Sequence, residues 1–103
     1  TTGQERNGGS WVVSTLAMDV PHNRLRAAIY DLMDCLADER LCMELILHKY
    51  IMVHEMASEI TRGRIAGVVS PNQIVHASHR SHEDLVSAIV SNLYWIGKAV
   101  VDA

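Results

Sequence analysis

The chain has no phenylalanine, and aromatic residues make up only 5% of it. Its apolar mass is therefore Leu, Ile, Val, Ala and Met, which suit helix–helix seams better than an aromatic-rich sheet core. Cysteine is almost as scarce, with Cys35 and Cys42 the only two. On one helix, seven residues place them ~10 Å apart, beyond the limit of about 7 Å for a disulfide. They read as reduced packing residues and point to a cytoplasmic protein. No cluster of Lys and Arg occurs, and the formal net charge is −3. That argues against a duplex nucleic-acid binder, which needs a basic stripe. The longest uncharged run, Leu85 to Gly97, is broken by Ser87, Ser91 and Asn92 and falls short of a bilayer span. Thr1 to Ser10 is polar and Gly-rich, unlike a secretory leader. Phosphate-binding loops, nucleophilic triads and zinc-finger spacings are missing, so neither catalysis nor a cofactor is expected.

What is present is helical periodicity. With 103 residues and 49% hydrophobic content, the chain reads as a flexible tail over 1–10 followed by one helical domain over 11–103. Trp11 to Met18 is short and apolar; Ser10 could cap a brief helix there, although Trp-Val-Val-Ser-Thr also suits a strand. Pro21, with Asp19 as cap, opens a helix predicted over 21–61. Within it Leu25, Ile29, Leu32, Leu36, Glu39, Met43, Ile46, Tyr50, Val53, Ala57 and Ile60 step alternately by four and three, a coiled-coil repeat with Glu39 the sole polar exception. Such a helix would be ~60 Å long and would have to lie along another. Gly63 suits the left-handed turn that ends it. After a link over 62–69, Ser70-Pro71-Asn72-Gln73 carries the marks of a capping box and opens a second helix over 70–101. The expected fold is all-α: a long antiparallel hairpin with a short N-terminal segment.

The second helix carries more apolar surface than one neighbour can cover. Leu85, Ile89, Asn92, Ile96 and Ala99 form one row, and Val86, Val90, Leu93, Gly97 and Val100 another, with Trp95 beside them. The surplus predicts a partner surface made of Val86, Val90, Leu93, Trp95, Ile96 and Val100, and a homodimer that completes a four-helix bundle. Folding the hairpin about residues 65–66 sets Glu39 level with Asn92. That would be a polar core layer fixing register, unless Glu39 bends to the edge and reaches solvent, the weightier of the two readings.

Six histidines raise a different class of function. His76, His79 and His82 recur every third residue, Glu83 follows, and the hairpin brings His54 and His48 near them; a metal would be held by His76, His79, His82 and Glu83. Steps of three turn the side chains by ~60° each, however, so the set fans across a face, and no Glu-x-x-His pair occurs. Histidine phosphotransfer is the related alternative: His54-Glu55 and His82-Glu83 each pair an acceptor with a base. Ser81 to Leu85 followed by Ala88-Ile89 resembles the H-box of sensor kinases but lacks its Arg-Thr-Pro continuation.

Leu32-Met-Asp34-Cys-Leu36-Ala-Asp-Glu39-Arg40-Leu-Cys-Met-Glu44-Leu45-Ile-Leu47-His-Lys49 resembles the first long helix of flagellar hook–filament export chaperones, the FlgN-like family, and Gly63-Arg64 matches that family's Gly-Arg near the helix end. The likeness covers about a fifth of the chain. It implies binding of an amphipathic segment of an export client, with the C-terminal helix of the hairpin as docking surface. The sequence thus predicts a non-catalytic helical adaptor or chaperone. Its rival is a histidine-dependent protein centred on His76, His79 and His82.

Overall fold

The computed structural model describes residues 22–38, 42–65 and 67–103. It is all-helical over those residues and contains four helices: α1 (Asn23–Leu36), α2 (Met43–Thr61), α3 (Pro71–Arg80) and α4 (His82–Asp102). The single helix predicted over 21–61 is therefore two, and so is the helix predicted over 70–101. The described chain extends 33 × 33 × 21 Å, which has no room for a rod of ~60 Å. Asp19, Glu39 and Trp11 to Met18 lie outside the described residues.

The coiled-coil stripe is nonetheless the buried stripe. Leu25, Ile29, Leu32 and Leu36 of α1 and Ile46, Tyr50, Val53 and Ala57 of α2 all enter one core, with Ile60 half-buried. Met43, which continuity would have buried, is exposed at the first turn of α2. A break makes a rod into a hairpin and lets the two halves of the stripe face each other. Asp31 and Lys49 pair across it at 2.5 Å, and the start of α1 meets Met56 to Ile60 at the end of α2. The two helices are antiparallel. Cys35 packs in this core, but Cys42 precedes α2 and is exposed, contrary to its expected packing role; both are free.

α3 begins where predicted, with Ser70 as N-cap and Pro71 first inside, although the Ser70 side chain makes no capping bond. Ser81 then ends α3 and starts α4. Its backbone is extended (φ −172°, ψ 164°), its N–H donates to the Ala77 carbonyl at 3.3 Å, and its Oγ accepts from the Asp84 N–H at 3.0 Å. This is a side-chain cap with acidic Glu83 and Asp84 in the first turn, where the helix dipole favours them. α3 packs on α4, and α2 packs on both.

α4 supplies Leu85, Ile89, Leu93, Ile96 and Val100 to the core. Its 21 residues and mean hydropathy of 1.2 make it long and apolar enough to cross a membrane by length and composition alone, because the helix runs on beyond Lys98. Core helices of other proteins meet the same criterion, and Leu85, Ile89, Leu93, Ile96 and Val100 are buried against the other helices here.

Candidate functional site

The ends of α2 and α4 lie side by side and enclose an open groove of ≈ 600 Å³. On the α2 side the helix closes with a Schellman turn: Gly63 N–H donates to the Ser58 carbonyl at 2.9 Å and Arg62 N–H to Glu59 at 3.3 Å. The left-handed position belongs to Arg62 (φ 55°, ψ 41°) as well as to Gly63 (φ 81°). The sequence assigned it to the glycine alone. A bulky residue there is uncommon and mildly strained. Thr61, buried just before, donates its hydroxyl to the Ala57 carbonyl at 2.8 Å.

The loop after α2 is pinned to α4 at two points. Asn92 is buried; its Oδ1 accepts from the Val69 N–H at 2.8 Å, and its Nδ2 donates to the Ala88 carbonyl at 2.7 Å. One turn on, Gly67 (φ 86°) presses against the Trp95 indole so closely that a Cβ would lie 3.1 Å from Cδ2. Tyr94 meets the same ring edge-on, with centroids 5.3 Å apart. Trp95 is thus held in place while 42% of it stays exposed.

Trp95, Lys98 and Asp102 are spaced i, i+3, i+7 and share a face of α4. Opposite them stand Ile60, Arg62 and Arg64. The side chains of Arg62, Arg64 and Lys98 form no ion pair or hydrogen bond among the described residues. By contrast, Lys49 is paired with Asp31 and Arg80 with Asp84.

The predicted partner surface is split by the structure. Leu93, Ile96 and Val100 are core residues and offer nothing to a partner; the surplus row is covered within the chain because α2 and α3 both lie on α4. Val86 and Val90 are half-buried. Trp95 alone of the six is substantially exposed, and it lies about 180° round the helix from Val86. Asn92 is the polar core residue expected, but its partner is the loop backbone, since the break at Ser81 abolishes the simple hairpin register that paired it with Glu39. The cations of the groove were missed. Arg62-Gly63-Arg64 and the spacing of Trp95, Lys98 and Asp102 are visible in the sequence, but which helix ends meet is not.

The histidines do not converge. His76 and His79 are exposed and meet edge-on at 6.3 Å, Glu83 is exposed, and His82 is half-buried with its Nε2 unpartnered. No group of three His, Cys, Asp or Glu among the described residues is placed to hold a metal ion. His54, half-buried, lies beside Tyr50, ring to ring at 6.1 Å. Residues 32–49, which carry the likeness to export chaperones, straddle the end of α1 and the start of α2 and so do not form one long helix.

No family model, curated protein or solved structure matches this chain.

Proposed function

We propose that the protein is a non-catalytic helical binding module that holds an amphipathic partner helix in the groove between the ends of α2 and α4. The observation that carries this reading is Trp95: a large aromatic side chain, braced by Gly67 and Tyr94 yet partly exposed, lining a groove together with apolar Ile60 and Ala99. Rigid exposed aromatics are typical anchors of protein interfaces, because they contribute contact area at little cost in side-chain entropy. The charged side chains of the groove are three cations and a carboxylate, which suit recognition, and the hydroxyl of Thr61 donates to the Ala57 carbonyl rather than to a base.

The partner helix comes from a second copy or from another protein, an export client among them. The case for a dimer no longer rests on the surplus row, and a single chain already supplies four helices. Sedimentation equilibrium on the wild type and Trp95→Ser separates the sources. A concentration-dependent mass that reverts to one chain in the variant assigns the groove to a second copy; one-chain mass in both assigns it to a different protein. Self-association or peptide capture that is indifferent to Trp95→Ser would sink the reading.

A further inference from the structure

We infer that the groove selects acidic partners: its ligand is an amphipathic peptide helix that sets carboxylates against Arg62, Arg64 and Lys98 and an apolar side chain against Trp95. This rests on the binding-module reading above and names the partner's chemistry. Charge distribution is the argument. The chain is acidic overall, at −3, yet three of its nine Lys and Arg residues line this one groove, against a single carboxylate side chain, that of Asp102. All three lack an ion-pair partner among the described residues, so the groove presents uncompensated positive charge next to an apolar floor.

Two features narrow the class of anion. Three cations on an acidic molecule are few for a polyphosphate backbone, whose binding depends on neutralising many charges at once. The apolar lining of Ile60, Trp95 and Ala99 also calls for an apolar side chain to cover it, which a helix with mixed acidic and apolar faces provides. Asp102 adds direction, since it repels a carboxylate at one end of the groove and favours a cation there. Arg62 keeps a left-handed backbone that glycine would adopt more easily. Strain of that kind accumulates at functional positions. The competing structural role of these cations is to offset the negative ends of α2 and α4.

The test uses the whole chain and a fluorescein-labelled peptide of about four helical turns built from Glu, Ala and Leu, with the same peptide carrying Lys for Glu as control. Anisotropy should show binding of the Glu peptide that weakens with added salt, and little binding of the Lys peptide. Arg62→Glu with Arg64→Glu should weaken the Glu peptide by about tenfold or more, and Trp95→Ala should also weaken it, with circular dichroism unchanged in each variant. Equal binding of both peptides, lost together on Trp95→Ala, would remove the acidic preference while leaving the partner-helix reading intact. Binding of neither peptide by the folded chain overturns the inference. So does tighter binding of phosphatidylserine vesicles or polyuridylate through the same arginines, because it assigns the groove to another anion. If Arg62→Gln and Arg64→Gln change only thermal stability, the arginines serve the helix ends and the inference fails.

Discussion

At the scale of single residues, two side chains sit where general rules disfavour them. Tyr50 is fully buried, and its hydroxyl has no partner among the described residues. An unsatisfied buried hydroxyl costs about 1–3 kcal/mol, so Tyr50→Phe should leave stability unchanged or raise it by about 1 kcal/mol, read as a shifted urea midpoint at constant slope. Burial also pushes the Tyr50 phenol up to about 12 from 10.0. The folded chain keeps this proton where the unfolded chain loses it. The resulting stability is complete below pH 10 and declines as pH rises through 12. At ~1.4 kcal/mol per unit the loss is of order 3 kcal/mol, and Tyr50→Phe should abolish that part of it. Lys49, raised chiefly by its hydrogen bond to Asp31, acts in the same direction above its ordinary value and should remain in the variant. Arg62 is the second case. Arg62→Gly relieves the left-handed backbone and should stabilise the chain by about 1 kcal/mol while weakening acidic-peptide binding. A variant that loses stability instead would show that the arginine side chain supports the fold.

Elements show which physical signals reach the sequence and which do not. Ser81 caps α4 by accepting from the Asp84 N–H, and Ser81→Ala should cost about 1 kcal/mol, measured by thermal unfolding. Without that cap, helix can continue from α3 into α4, and protection of the amides near residue 81 from hydrogen exchange would register it. The cap was legible: Ser81-x-x-Asp84 has the spacing of a helix start, but the neighbouring histidines drew a reading based on chemistry instead. The division of 21–61 was not legible. No Gly or Pro marks residues 37–42, and the heptad stripe runs through them because periodicity reports which face is buried, not whether the helix is continuous. The one hint was Glu39, which a continuous helix would hold on the apolar seam. Composition and periodicity therefore revealed the helical class and nearly all of the buried face, including Leu25, Ile29, Ile46 and Val53. Chain direction depends on long-range packing and stayed hidden. With it went the groove, whose cations come from two ends that meet only after α3 and α4 have reversed the path.

For the whole molecule, the decisive feature is that both helix pairs share one core through α2. The same helix face packs on α1 and on the α3–α4 pair, so buried residues from all four helices form a single cluster. A small domain is stable by only about 5–15 kcal/mol, and a core placed in common should unfold as a unit. Leu93 and Trp95 make the contrast measurable, because they are two residues apart on α4 but 1% and 42% exposed. Leu93→Ala should cost about 2–5 kcal/mol and Leu93→Asp most of the stability, since it buries an unpaired charge. Trp95→Ser, removing a ring that is 42% exposed, should cost less than either, about 1–2 kcal/mol. Urea titrations followed by circular dichroism should place Leu93→Asp as the most destabilised, Leu93→Ala next and Trp95→Ser last. In Leu93→Ala, hydrogen-exchange protection should fall in α1 as much as in α4, although Leu93 lies on α4. Protection that persists in α1 and α2 while α3 and α4 open would mean two separately stable hairpins. In that case the groove between the ends of α2 and α4 would form only when the hairpins dock, and occupancy by an acidic helix should then restore protection to both.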